Sequence, residues 1–473
     1  MHAFPPAIRS AVLLVIMLAG LLAGCAAPPD ATITEDLTAR PVSLEIKDAE
    51  GSLSPREREE LLQTAAGDAA SAEYLQRLAE IEQAVTGQAL IAGNRVQLLV
   101  DGPAAYKAMF AAIAKAQNHI HLETYILADD EIGQQLASLL LERRAAGVEV
   151  AIIFDDLGSN STSDAYFERL QNAGIKLFRF HPINPVEDIR IWRINQRNHR
   201  KILIIDGRIA FTGGMNISSV YASSSFTAPR KAQETDDRWR DTQVRIEGPV
   251  VAEFQKLFLA TWAESDQKTA LDSHDNFPPL DEAGAELVRV VPNIGGPDIS
   301  GNNNNQYDIY ATYLAAIKQA QQRLWITQAY FTPDQTLLEA LQQAARRGVD
   351  VRILLPGFTD AALVIHASRA NYTALLEAGV KLYEREDALL HAKTAVIDGV
   401  WSTVGSSNFD YRSFLHNNEA NAVILGQAFG QQMEALFLQD LQHSRRIRLR
   451  EWEQRPLWLR AKERFSSLFD YWL

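Results

Sequence analysis

Asn198-His-Arg-Lys-Ile-Leu-Ile-Ile-Asp-Gly207, which runs on to Thr212-Gly-Gly-Met-Asn-Ile217, reappears as Leu390-His-Ala-Lys-Thr-Ala-Val-Ile-Asp-Gly399, which runs on to Val404-Gly-Ser-Ser-Asn-Phe409. In both stretches the Lys follows the His by two residues, the Asp by seven, the Gly by fourteen and the Asn by seventeen. One His-x-Lys is a weak signal, because exposed strands carry both residue types. Two copies with the same internal spacing mark an internal duplication.

The duplication extends outward from the motifs. Leu141 to Phe154 aligns with Leu341 to Leu355, each a helix that closes on glycine and feeds a buried strand. Tyr166 to Phe178 aligns with Tyr372 to Tyr383, again helix, Ala-Gly turn and strand, through Ala173-Gly174 and Ala378-Gly379. Upstream, His119-Ile-His-Leu-Glu-Thr-Tyr125 and Leu324-Trp-Ile-Thr-Gln-Ala-Tyr330 are further apolar strands behind alanine-rich helices. Strands alternating with helices predict an α/β fold of two duplicated lobes, each a mixed sheet flanked by helices, related by a pseudo-twofold axis. The first lobe spans 87–264 and the second 287–444, with a polar linker over 265–286. The first lobe also carries an insertion, Asn184 to Gln196, and a Ser-rich stretch, Ser218 to Asp237, of the kind that gates a site.

A chain of 473 residues that is 47% hydrophobic and 22% charged buries a sizeable core. Its net charge of -13 argues against a surface built to neutralise nucleic-acid phosphates. The single cysteine, Cys25, excludes an intramolecular disulfide.

His-x-Lys-x4-Asp followed by Gly-x-x-Asn resembles the signature of the phospholipase D superfamily, over roughly residues 90 to 445. Within it the chain is most similar to bacterial cardiolipin synthases, through Gly93 to Gly102, Asn198-His-Arg-Lys201, Trp239-Arg-Asp241 and Gly405 to Ser413. The resemblance implies a catalytic set of His199, Lys201, Asp206, His391, Lys393 and Asp398, with His199 as nucleophile and His391 as acid and then base. One histidine attacks phosphorus while the other protonates the leaving alkoxide, and a phosphohistidine is resolved by an alcohol or water. Lys201, Lys393, Asn216 and Asn408 would bind the nonbridging oxygens. An attacking imidazole needs its far nitrogen held by an acceptor. Asp241 and Glu419, in segments that follow the two motifs by 42 and 28 residues, correspond to the acids such enzymes use. Strand parity puts His199 with Lys201, and His391 with Lys393, on one face; Asp206 and Asp398 fall opposite, each opening an Asp-Gly turn, which argues for a structural role.

No metal or cofactor is implied, since neither a carboxylate cluster nor a phosphate-binding Gly-x4-Gly-Lys-Ser/Thr loop is present. His119 and His121 lack a third ligand at fitting spacing and read as core residues. Glu123 faces the site or supports it. Asp410, Arg412 and Ser413 read as supports of the second motif loop. The implied activity is transfer of a phosphatidyl group from phosphatidylglycerol to a second phospholipid. The alternatives are hydrolysis of phospholipids or other phosphodiesters, with a nuclease less favoured, and a catalytically silent envelope-binding protein.

The N-terminus carries Arg9 and an apolar run, Ala11 to Leu22, too short to span a bilayer comfortably. It ends in Leu22-Ala23-Gly24-Cys25, which resembles a bacterial lipoprotein signal with Cys25 as the acylated residue, and Ala26 resembles the outer-membrane sorting pattern. This gives a signal peptide over 1–24 and, over 25–86, the lipidated Cys, a tether and a helical segment beginning at Ser54-Pro55. Expected partners are a phospholipid substrate and a membrane, with the protein anchored in the envelope facing the periplasm and no nucleic acid involved. The C-terminal stretch 445–473, basic with interleaved tryptophans, reads either as a membrane-surface helix or as a solvated helix docked on the body.

Overall fold

All four helix-glycine-strand units of the repeat form as expected in the computed structural model, which describes residues 43–183, 195–226, 238–265, 271, 275–295, 307–359 and 361–472. The helices Glu131–Ala145, Asp164–Asn172, Gln335–Arg346 and Tyr372–Glu377 each end before a glycine with positive φ, at Gly147, Gly174, Gly348 and Gly379. A left-handed residue there ends the helix and turns the chain into the next strand, and glycine adopts it without a Cβ clash.

In chain order the strands are β1 (Ile46–Lys47), β2 (Leu90–Val100), β3 (His119–Thr124), β4 (Glu149–Asp155), β5 (Lys176–Phe180), β6 (Ile202–Ile205), β7 (Ile209–Gly213), β8 (Trp239–Arg240) and β9 (Thr242–Glu247). The second half supplies β10 (Glu286–Asn293), β11 (Arg323–Thr327), β12 (Asp350–Pro356), β13 (Lys381–Arg385), β14 (Leu389–Leu390), β15 (Thr394–Ile397), β16 (Trp401–Gly405), β17 (Glu419–Leu425) and β18 (Ser444–Ile447). The first half is ordered β5-β4-β3-β6-β7-β9-β2 and the second β13-β12-β11-β15-β16-β17-β10. Position by position these are the same sheet. Both pair three strands in parallel and the rest antiparallel. The two sheets join through the antiparallel pair β2 and β10 into one continuous sheet, so the pseudo-twofold passes between those strands.

The join is packed as well as hydrogen-bonded. Ile202, Ile204 and Val244 share one apolar cluster with Val288, Val404 and Ile424. Arg200 donates to the Asn293 and Glu419 carbonyls, and Arg240 forms an ion pair with Asp440 at 2.8 Å, so buried arginines also tie the lobes together.

Several expected boundaries shift. The tether was expected to reach about Leu53, but Leu44 and Ile46 are already buried and β1 runs parallel to β2. Two alternating apolar residues are too short a pattern to read as a strand. The helices Pro55–Ala66 and Ala69–Thr86 belong to the second lobe: Leu62, Leu75 and Leu78 pack with Leu314, Ile317 and Trp401. Ser54 and Glu57 form the capping box that starts the first of these helices, with Pro55 in its first turn. Glu82, fully buried, takes an ion pair from Arg289 at 2.6 Å and a hydrogen bond from the Trp401 indole. Downstream, residues 445–472 are not one helix. The strand β18 extends the sheet beside β13, and the helices Leu449–Glu453 and Leu457–Ser466 and a 3-10 turn, Ser467–Trp472, follow. No helix among the described residues is long and apolar enough to cross a membrane. Residues 1–24, Cys25, 184–194 of the insertion, 227–237 of the Ser-rich stretch, and 266–270 and 272–274 of the linker lie outside the described residues.

Candidate active site

The His-x-Lys segments lead into β6 and β15 rather than lying inside them, because their backbones pair with the opposite lobe. His199 N–H donates to the Asn418 carbonyl at 2.9 Å, and Asn418 N–H to the Arg197 carbonyl at 2.9 Å. On the other side of the pseudo-twofold, His391 N–H donates to the Arg240 carbonyl at 2.8 Å, and β8 and β14 run in parallel. Each motif is thereby laid beside the residues that precede the other half's acid.

The acids are consequently exchanged. Glu419 accepts from His199 Nδ1 at 2.9 Å, and Asp241 from His391 Nδ1 at 2.7 Å. Counting along the chain attaches Asp241 to His199 and Glu419 to His391; in space each acid serves the histidine of the other lobe. Each carboxylate rests on its own half's Gly-x-x-Asn loop. Ser406 donates to Glu419, and Asn417 Nδ2 lies 3.3 Å from it. Asp241 accepts from the Thr242 N–H at 2.7 Å, and at the position equivalent to Ser406 the first half has Gly214, where a Cβ would lie 2.2 Å from the Asp241 carboxylate.

Lys201 Nζ donates to the His199 carbonyl at 2.7 Å, and Lys393 Nζ to the His391 carbonyl at 2.6 Å while lying 3.0 Å from His391 Nε2. The two pairs feel each other: Lys393 acts on His199 and Lys201 on His391. Burial pulls the His199 ring from its ordinary 6.5 down to about 4, against the pull of Glu419. Burial and then Lys393 bring His391 to about 4 against Asp241. Burial also depresses the Lys201 ammonium well below its ordinary value. Burial alone would raise both carboxyls, but the imidazoles and lysines outweigh it and hold Asp241 and Glu419 below the usual carboxylate range. The pocket therefore holds neutral imidazoles with Nδ1 committed to a carboxylate, which leaves Nε2 as the reactive nitrogen.

Asn216 Oδ1 accepts from the Ile126 N–H, and its Nδ2 donates to the Tyr221 hydroxyl at 3.0 Å, itself 3.4 Å from His391 Nδ1. Asn408 is buried in the second loop, its N–H bonded to Ser413 Oγ at 3.1 Å. Asp206 and Asp398 do not join the site. Asp206 accepts from the N–H groups of Gln117, Asn118 and His119, and Asp398 from those of Gln321, Gln322 and Arg323, at the far ends of β6 and β15. Their place in the implied catalytic set is corrected: both hold the start of the neighbouring strand. Glu123 accepts from Asn198 Nδ2 at 2.7 Å and so braces the first motif from behind. Asp410 accepts from the Ser413 N–H, a support of its loop. His119 and His121 share Gln255 in the core.

Four aromatic neighbours were not singled out from sequence. Tyr125 stands edge-on to His199 at 5.1 Å with Lys201 5.4 Å from its ring, Tyr330 stands 6.4 Å from His391, and Tyr221 and Trp239 flank His391 at 5.7 and 5.2 Å. The signal for the first two was available, since both aligned strand segments end in Tyr.

Residues 109–262 and 313–441 match the family model described as Cardiolipin synthase, PLD-like domain. Cardiolipin synthase from Geobacillus kaustophilus is 37% identical over 378 residues, 80% of this chain and 72% of that protein. Cardiolipin synthase from Listeria monocytogenes is 35% identical over 386 residues, 81% of this chain and 76% of that protein. Among solved structures, the phosphatidylserine synthase of Haemophilus influenzae Rd KW20 superposes with a TM-score of 0.57 at 16% identity, over 80% of this chain and 95% of that one, a likeness of fold. With two duplicated half-sites assembled across one sheet, and relatives of this identity along four-fifths of its length, the chain belongs to the cardiolipin synthase family of phospholipase D-like proteins.

Proposed function

We propose that the protein transfers the phosphatidyl group of one phosphatidylglycerol to a hydroxyl of a second phospholipid, releasing glycerol and forming cardiolipin. The observation that carries this reading is the pair of intact half-sites, each histidine held on Nδ1 by a carboxylate from the other lobe. His199 Nε2 attacks phosphorus, and His391 gives a proton to the departing glycerol oxygen. A phosphatidyl-histidine results. The acceptor lipid's hydroxyl then enters the vacated position, loses its proton to His391 Nε2, and displaces His199. Lys201, Lys393, Asn216 and Asn408 offset the charge on the nonbridging oxygens in both steps. Entry of the phosphodiester anion supplies the negative charge that lets one of two neutral, buried rings carry a proton.

The membrane attachment rests on sequence. We propose that Cys25, in Leu22-Ala23-Gly24-Cys25, is acylated after removal of residues 1–24 and holds the enzyme in the envelope facing the periplasm, with Ala26 favouring the outer membrane. The test of function is to incubate the purified protein with labelled phosphatidylglycerol in the presence of a chelator and resolve the products. Cardiolipin with one glycerol per transfer is expected; phosphatidic acid alone would replace transfer with hydrolysis.

A further inference from the structure

Residues 457–472 present their apolar side outward. Trp458, Ala461 and Phe465 recur at intervals of three and four on the helix Leu457–Ser466, the spacing of one helical stripe, and Leu468 and Trp472 stand on the 3-10 turn that follows. In a helix docked on a globular body such a stripe faces the core. Here it faces out: Trp458 is 65% exposed and Phe465 52%, and Leu468 on the following turn is 74% exposed. The inward positions of helix Leu457–Ser466 are Glu463 and Ser466, with Glu463 paired to Arg455 at 2.6 Å. Leu363, on the helix Ala362–Ala370 that packs along this segment, is exposed beside it.

Charge points the same way. The chain carries a net -13, yet residues 457–472 contain three Lys and Arg against two Asp and Glu, and one of those acids, Glu463, is paired to Arg455. Arg460, Lys462 and Arg464 are exposed and interleave with the apolar stripe. Exposed tryptophans and leucines flanked by cations, on an otherwise acidic protein, match an anionic bilayer surface, where rings settle at the headgroup level and cations meet phosphates. The surface is tied to the active site. Tyr471 packs against Tyr411 at 5.8 Å and against His416 at 5.3 Å, and the next residues, Asn417 to Glu419, make the contacts that hold His199.

We propose that residues 457–472 are a docking surface for an anionic phospholipid bilayer, set beside the second motif loop so that lipid substrate enters from the headgroup layer. This rests on the phosphatidyl-transfer reading for its substrate. The full-length protein is mixed with vesicles of phosphatidylglycerol carrying brominated acyl chains, and tryptophan fluorescence is followed with turnover of both vesicle and short-chain, dispersed phosphatidylglycerol. Quenching is expected, and its loss in the double variant Trp458→Phe/Trp472→Phe, a conservative change that keeps the fold. The variant Phe465→Glu/Leu468→Glu should lose about tenfold in kcat/KM on vesicles, in a salt-sensitive background, with the rate on dispersed substrate unchanged. Unquenched wild-type protein that still turns over the vesicles overturns the proposal. So does equal loss on both substrate forms, or a lipid-independent dimer that the glutamate variant dissociates. Quenching that depends on Trp458 and Trp472 but comes with no turnover of either substrate leaves the surface standing and removes the transferase reading.

Discussion

Among single residues, the least expected feature is the exchange of acids. Glu419 is 220 positions from His199 in sequence and 2.9 Å away in space. The need for a carboxylate on each Nδ1 follows from imidazole chemistry, and the segments carrying Asp241 and Glu419 stand out by resemblance. Which acid meets which histidine depends on backbone pairing between lobes, and no residue pattern within one half encodes it. Ser406 and Gly214 were equally silent, because their roles follow from the room beside a carboxylate. Replacing Glu419 by Gln should lower kcat by roughly 10²–10⁴-fold by releasing the His199 tautomer. If His199 and Glu419 act as a unit, the double variant His199→Ala/Glu419→Gln should be no slower than His199→Ala alone. Additive losses in steady-state rates would show that Glu419 acts elsewhere. By the same geometry Asp241→Asn should release the tautomer of His391 and lower kcat as Glu419→Gln does through His199.

Elements turn on the aspartates of the two motifs. Strand parity counted from each His placed Asp206 and Asp398 on the opposite face. His199 and His391 sit just ahead of the strands Ile202–Ile205 and Thr394–Ile397, and it is the length of those strands that carries the aspartates away from the histidines. Both aspartates adopt positive φ, 53° and 52°, and gather three N–H groups from the start of the adjacent strand. Asp206→Ala leaves those donors without their acceptor and should cost about 1–3 kcal/mol in stability, seen as a lowered thermal midpoint, while kcat at low temperature stays within a few-fold. A loss of kcat in fully folded protein would return Asp206 to the chemistry. The N-terminal helices illustrate the opposite limit of sequence reading. Their caps were legible from Ser54-Pro55, whereas their place in the second lobe depends on Glu82 reaching Arg289 and Trp401. Glu82→Leu strands a buried guanidinium and should destabilise the fold by about 3–5 kcal/mol, measured by denaturant unfolding.

Over the whole molecule the two seven-stranded halves of the sheet read alike outward from the join of β2 and β10, and the duplication in sequence foretold this. The continuity of the sheet through β2 and β10 was not foretold, because a strand edge that pairs with a second lobe carries the same alternating residues as one that meets solvent. Protonation follows from that shared interior. His119, His199, His391 and His416 are all drawn by burial from 6.5 to about 4. A depressed histidine pKa means the unfolded chain binds more protons than the folded one between those values. Stability therefore rises with pH through the window and is lost as pH falls from about 6.5 toward 4. Unfolding midpoints should drop between pH 7 and pH 5, by roughly 1–2 kcal/mol per ring. A flat profile over that range would mean the rings are already charged in the folded protein.

The central claim, one phosphodiester-transferring site assembled from both halves with His199 as nucleophile, is tested most directly by trapping the intermediate. The enzyme is mixed with phosphatidylglycerol labelled in the phosphatidyl group, quenched in alkaline detergent where phosphohistidine survives, and mapped by peptide mass. Label on His199, absent from His199→Ala and reduced in Glu419→Gln, is the predicted result; label on His391, or turnover with no labelled histidine, would contradict it.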